Sequence, residues 1–296
     1  MKETFGQKTR RSHKRNQRVV MFWCAFVFAF VIAGVWLFRG TLFQNDSGAS
    51  SSGTNQSRHD ACGTADSRQK STDVTQAPMD HEVCQKLQDL VSQDQRVQQV
   101  IDNCEIYPED ILKMLSRNLD MLNFVLEYPE KVGQVFAETV GEVEGGEVPL
   151  LLQYDQRWGY GDYGNSSVAV SGCGPACLSM VITSLTGDDT ITPYVVAQYA
   201  SEQGYYVPGA GTAWTLMSEG AKHFGVIGEE LPLTKSIMEG VLKEGRPIIC
   251  SMRPGDFTTT GHFIVITGIK DGQFTVNDPN STERSNMLWD YDTLKP

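Results

Sequence analysis

Ser171-Gly-Cys-Gly-Pro-Ala-Cys-Leu-Ser-Met180 is the stretch on which the reading of this chain turns. Cys173 stands between two glycines and is followed by Pro175 and an apolar run: Leu178, Met180, Val181, Ile182 and Leu185. Gly172 and Gly174 let the backbone turn tightly, and Pro175 suits a first helical turn, where its missing N–H has no partner to lose. The stretch therefore predicts a helix over 175–185 with a thiol at its mouth. A helix N-terminus offers unpaired N–H groups and partial positive charge, which favour the nucleophilic form of a thiol.

Working outward, the elements around it predict an α+β domain. Val148–Leu152 reads as a strand, and helices are expected near Pro193–Gln203, Thr212–Phe224 and Ser236–Glu244. Pro247–Met252 reads as a short strand, and Gly261–Ile269 and Gln273–Val276 as a hairpin around Lys270-Asp271-Gly272. Helices first and an antiparallel sheet afterwards fit the α+β class. His262 opens the apolar strand His262–Thr267, and Asp278 closes the next one in Phe274-Thr-Val-Asn-Asp-Pro279. With those strands adjacent, the Asp278 carboxylate is expected to take the Nδ1 proton of His262 and orient the ring towards Cys173. A lone cysteine, histidine or Asn-Asp-Pro turn is more often structural than catalytic, but the three in this order make a Cys-His-Asp hydrolase the leading reading. Cys177 is the rival nucleophile and His223 the rival base; the first falls one turn inside the helix, and the second sits on a predicted helix with no carboxylate-bearing strand behind it. No CxxC, HExxH or Cys/His cluster points to a metal or other cofactor.

Charge separates the N-terminus from the rest. The 296 residues carry −11, and residues 1–18, with seven basic side chains and Glu3, carry +6, which leaves −17 on the remainder. So acidic a body argues against nucleic acid as a partner. Val19–Phe38 is a run of twenty uncharged residues, the length of a membrane-spanning helix, with Trp23 and Trp36 near its ends. The basic flank predicts a cytoplasmic tail over 1–18, a membrane anchor over 19–38 and an extracellular body. A cleaved signal peptide is the competing reading, but the apolar run is long and no small-x-small site follows it. Residues 39–80 are Ser-, Gly-, Thr- and Asn-rich and predict a disordered linker.

Residues 81–144 read as a small helical segment. Val83, Leu87, Leu90, Val91, Val97, Val100 and Ile101 recur at helical steps; Pro108 is placed to open a second helix with Ile111, Leu112 and Leu115. A third is expected over Leu119–Tyr128, and a short fourth up to Val140. The segment reads as a packing module or spacer, or as a cap that regulates or guides substrate. Cys84 and Cys104 are either a disulfide of an oxidising exterior or two separate thiols. Glu142–Glu147 reads as a hinge into a final domain, 145–296.

Within that domain four motifs occur in order: Val148-Pro-Leu-Leu-Leu-Gln-Tyr-Asp-Gln-Arg-Trp158-Gly, Ser171-Gly-Cys-Gly-Pro-Ala-Cys177, Gly261-His-Phe-Ile-Val and Val276-Asn-Asp-Pro279. Together they resemble the papain-like cysteine peptidases related to the bacteriocin-processing enzymes, family thirty-nine of the cysteine peptidases. The resemblance covers roughly 148–296 and implies a bacterial papain-like peptidase domain with Cys173 as nucleophile, His262 as base, Asp278 as orienting residue and a glutamine in the oxyanion hole. Gln153 is the candidate for that glutamine. The best-known members carry theirs six residues before the cysteine, where this chain has Ser167. It also lacks the Walker loop of the exporter-linked members, so leader-peptide processing is not carried over.

The function expected is a membrane-anchored, extracytoplasmic cysteine peptidase acting on a peptide or protein, a cell-wall peptide among the candidates. A cell-wall amidase or acyl transferase on the same three residues is the alternative, and a binding module on a peptidase fold is the reading from a different class. Aromatics such as Trp158, Tyr163, Tyr205 and Trp214 suit either a cleft lining or a core.

Overall fold

The computed structural model describes residues 18–22 and 80–295. Helices α1 (His81–Val91), α2 (Val97–Asp102), α3 (Glu109–Leu115) and α4 (Leu122–Lys131) form the module expected after the linker. The periodic run 83–101 is broken between α1 and α2, because the Asp94 carboxylate accepts the Arg96 backbone N–H at 2.9 Å and bends the chain. Pro108 does precede α3. The helix after it runs through Pro129 to Lys131 rather than stopping at Tyr128, held by the burial of Val125 and Tyr128. The short further helix expected up to Val140 does not form. Gly133, at φ +79°, turns the chain out of α4. Gly133, Phe136 and Val140 then donate to the carbonyls of Tyr160, Arg157 and Asp189, each at 2.8 Å, so the non-helical residues after α4 are fastened along the C-terminal part.

The module is not a detachable spacer. Leu87, Val100, Ile111, Leu115 and Phe124 pack in one core with Tyr154, Tyr160 and Ala169, and Phe124 stacks on Tyr160 with ring centroids 4.3 Å apart.

The C-terminal part begins with an irregular segment where Val148–Leu152 was expected as a strand. Its polar groups are met singly, by Asn277 Nδ2 on the Val148 carbonyl (2.9 Å) and by Gln153 N–H on the Pro279 carbonyl (2.7 Å), so it joins no ladder. A short hairpin, β2 (Asp162–Tyr163) and β3 (Ser166–Ser167), leads through α5 (Val168–Ser171) into α6 (Cys173–Thr186). Helix α6 is buried from Gly174 to Ser184, as expected of a helix apolar on every face. It packs beside α7 (Pro193–Glu202), which Thr192 caps through its side chain. The helix expected over 212–224 is instead three pieces: strand residues Gly211–Thr212, α8 (Thr215–Ser218) and a 3-10 turn over Gly220–Phe224. Gly211 (β5), at φ +82°, pairs with β4 (Tyr206–Val207) and draws Thr212 out of the helical pattern.

The main sheet takes β6 (Ile227–Leu231), then, after α9 (Lys235–Lys243), β7 (Ile248–Met252), β8 (His262–Lys270), β9 (Gln273–Asn277) and β10 (Leu288–Trp289). Strands β7 to β10 are antiparallel neighbours, and α10 (Thr282–Ser285) and α11 (Tyr291–Leu294) flank β10 in the chain. The β8–β9 turn has φ +54° at Asp271 and +80° at Gly272, the left-handed pair that an Asp-Gly hairpin supplies. Helices with an antiparallel sheet make the domain α+β.

Between β6 and β7 lies β1 (Arg18–Phe22), parallel to both. The first four residues of the run expected as a membrane helix are therefore a strand, which suits the paired valines Val19 and Val20. The rest of that run, 23–38, lies outside the described residues, as do the expected tail before Arg18 and the linker up to 79. Among the described residues no helix is long and apolar enough to cross a membrane.

Because the module and the C-terminal part share a core, Phe124→Ala should cost about 3–5 kcal/mol of stability. Urea unfolding followed by tryptophan fluorescence is expected to report the loss, since Trp158, Trp214 and Trp289 all lie outside the module. An unshifted fluorescence transition would mean that the module unfolds on its own.

Candidate active site

Cys173 is the first residue of α6, and Gly172 before it provides no side-chain cap. The first-turn N–H groups are thus left for another acceptor. Two close approaches explain the glycines: a Cβ at Gly172 would fall 2.3 Å from the Val168 carbonyl oxygen, and one at Gly174 would fall 2.7 Å from Thr212. The cysteine is partly exposed and lines a cleft of about 300 Å³ together with Gln153, His262, Asn280 and Arg284.

His262 starts β8, only 8% exposed, and Asp278, fully buried, follows β9. Antiparallel pairing of β8 with β9 brings the two together: His262 Nε2 lies 2.8 Å from Asp278 Oδ1. The expectation that Nδ1 would meet the carboxylate is corrected here. With Nε2 on Asp278, Nδ1 is the ring nitrogen left for the Cys173 thiol, which lines the same cleft. Burial alone would push the His262 pKa down, but the Asp278 carboxylate and Cys173 outweigh it and raise it from 6.5 to about 9. Burial works against the Asp278 anion as well; His262 and then Arg284 more than compensate, and its pKa is lowered.

Arg284 was not singled out in the sequence. Its Nε lies 2.6 Å from Asp278 Oδ2, while the Asn280 backbone N–H donates to Oδ1 at 2.7 Å, so both carboxylate oxygens are held. The signal for it is Ser281, the N-cap of α10, whose hydroxyl accepts the Arg284 N–H and turns the chain back onto Asp278. Gln153 reaches the cleft from the irregular segment. Its Nε2 donates to the Ala169 carbonyl, while its buried Oε1 has no partner. A buried amide oxygen left without a partner costs about 1–3 kcal/mol.

The rival residues stand apart from this cluster. Cys177 is fully buried and its thiol pKa is pushed well up by desolvation. His223 stacks on Tyr199 at 4.2 Å in a separate groove of about 440 Å³ on α7, which no cysteine lines. Ser167, in the place of the glutamine of the best-known resembled enzymes, is buried with an unpartnered hydroxyl. Among the described residues no group of His, Cys, Asp and Glu is arranged to hold a metal.

The helical module also supplies part of the cleft, a placement that the cap alternative allows and a mere spacer does not need. Met114, Arg117 and Asn118 line the cleft together with the loop Gly255–Gly261, and Arg117 Nη1 reaches the Thr259 hydroxyl at 3.1 Å. Asn118 Nδ2 donates to the Asn280 carbonyl (2.8 Å), and Thr282 hydrogen-bonds Asp120, so the module is tied to the segment that holds Asp278.

Compared with known proteins, residues 146–295 match the family described as Peptidase_C39 like family. No curated protein and no solved structure matches the chain.

The raised pKa of His262 means that its contribution to stability is complete below pH 6.5 and is lost as the pH rises through about 9. That of Asp278 is present above its usual 3.8 and is lost as the pH falls through its lowered value. A ring-proton NMR titration should therefore find His262 changing charge near pH 9, and Asp278→Asn should bring that midpoint down towards 6.5. A midpoint unmoved by the substitution would show that the carboxylate does not set the charge of the ring.

Proposed function

The chain belongs to the Peptidase_C39-like family, and from that premise we propose that it is a cysteine peptidase that cuts peptide bonds through Cys173, His262 and Asp278. The observation that carries the proposal is the pairing of His262 Nε2 with the buried Asp278, which leaves Nδ1 for a thiol at a helix mouth in the same cleft.

In the proposed reaction Cys173 Sγ, having given its proton to His262 Nδ1, attacks the carbonyl carbon of the substrate. The C=O electron pair moves onto oxygen, where the Cys173 backbone N–H and the second N–H of Gln153 Nε2 stabilise the developing anion. The C–N bond then breaks, and His262 Nδ1 delivers its proton to the departing amine, leaving a thioester on Cys173. Water attacks that thioester with His262 as base, releasing a carboxylic acid and restoring the thiol. Throughout, Asp278 stays ionised, fixes the ring and supports its positive form, and Arg284 positions Asp278. A raised His262 pKa serves the step in which the amine must leave, since the ring then holds a proton at neutral pH.

Full-length protein tested against a broad peptide library, cell-wall peptides included, should cleave members of it, and Cys173→Ala should lower turnover by at least about three orders of magnitude. Cleavage at the same rate in the variant would remove the thiol from the mechanism. No cleavage by either protein would favour the binding-module reading.

Attachment to a membrane through residues 19–38 is a separate proposal, supported by the uncharged run and its basic flank. It requires Val19–Phe22 to leave the sheet, because 23–38 alone supplies 16 residues where about 20 are needed to span. Alkaline carbonate washing of membranes from expressing cells decides between the placements: retention of the protein supports an anchor, and its release supports β1 in the sheet.

A further inference from the structure

The cleft carries four charged or chargeable side chains besides the reacting cysteine: Arg117, Asp256, His262 and Arg284. Two are committed, since Arg284 and His262 both hold Asp278. Arg117, just beyond the end of α3, is exposed, and its recorded partner is neutral: Nη1 lies 3.1 Å from the Thr259 hydroxyl, across the cleft rim. Other arginines of this acidic chain behave differently. Arg96, Arg157, Arg246 and Arg284 each hold a carboxylate within 3.2 Å. Among the described residues no carboxylate lies in ion-pair distance of Arg117, and Arg253, the other arginine lacking one, does not line this cleft.

A planar guanidinium with most of its donors unused, in the cleft that holds the thiol, is suited to a carboxylate, which it meets through two parallel hydrogen bonds. We infer that Arg117 is a specificity-determining residue: it selects substrates that place a carboxylate against the module wall of the cleft, from an acidic side chain or from a free C-terminus. This rests on the hydrolase reading for its meaning, though not for its test. Asp256 lines the same cleft, beyond ion-pair reach of Arg117, and opposes an anion placed beside itself, so the preference is assigned to carboxylates that meet Arg117. It also gives the module a function that the family match, which begins at residue 146, does not contain.

The test uses the full chain and a library of decapeptides made in paired forms: Glu against Gln, Asp against Asn, and free against amidated C-termini. Binding is measured to Cys173→Ala, which cannot turn peptides over, and cleavage of the same peptides is measured with the native thiol. Acidic members should bind and be cleaved about 10-fold or more in preference to their amide isosteres. Arg117→Gln on either background should abolish that ratio, and Arg117→Lys should restore part of it. Preference that follows the side chain identifies an acidic residue as the group read; preference that follows the free terminus identifies the terminal carboxylate. Equal treatment of the paired forms, an acidic preference that survives Arg117→Gln, or no peptide bound at all would each overturn the inference. Arg117-dependent binding without any cleavage would support it while counting against the hydrolase reading.

Discussion

A fully buried carboxylate imposes the strictest condition on this fold. Asp278 has no exposed surface, and an unpaired anion in such a place would cost several kcal/mol, about 3–5 when one partner of a buried pair is lost. Its partners come from three directions: the ring at the start of β8, the guanidinium on α10 and the backbone N–H of Asn280. Each can reach it only if β8 and β9 keep their register and the turn after β9 keeps its shape. Asp278 N–H donates to the Ser285 hydroxyl, itself anchored on the Ser281 carbonyl, and Asn118 of the helical module holds the Asn280 carbonyl. The same carboxylate that orients His262 therefore also fixes how the sheet end, α10 and the module meet.

What was legible in the sequence follows from how local each signal is. The glycines around Cys173, the alternation in β8 and β9, and the Asp-Gly turn between them are local, and they locate the thiol, the ring and the carboxylate at the ends of the right elements. Which imidazole nitrogen meets Asp278 depends on the approach of two side chains across a strand pair, and no sequence pattern encodes it. Nor does spacing show that Val148–Leu152 has no neighbour to ladder with, or that Gly211 and a second short strand take Thr212 from a helix. Arg284 was missed because its role arises only after Ser281 turns the chain back. The module was left open between a spacer and a substrate-guiding cap for a similar reason: its apolar spacing specifies a buried face but not what buries it, and here that is Tyr154, Tyr160 and Ala169.

The helical module changes what the C-terminal domain can be. A core that runs from α3 and α4 into Tyr160 gives Met114, Arg117 and Asn118 a fixed base, so the wall they form is as rigid as the packing beneath it. Leu115 is fully buried two residues before Arg117, which means the guanidinium projects from a clamped turn rather than a frayed helix end. Binding groups held in this way lose less freedom when a ligand arrives.

Arg284 also bears on why the orienting residue is a carboxylate and not an amide. In the thiolate–imidazolium state of the proposed reaction, the cluster of Cys173, His262, Asp278 and Arg284 alternates negative and positive charge and sums to zero. Without the arginine the same cluster would carry a net negative charge within a cleft whose inner members are shielded from water. An amide at 278 would balance the thiolate–imidazolium pair alone, but it would leave Arg284 with no anion to hold. The two residues are thus matched: the carboxylate needs a second cation because it is buried, and the cation is held in place because the carboxylate is charged. On this argument the charge balance around Asp278 is set as much by the guanidinium on α10 as by the ring at the start of β8.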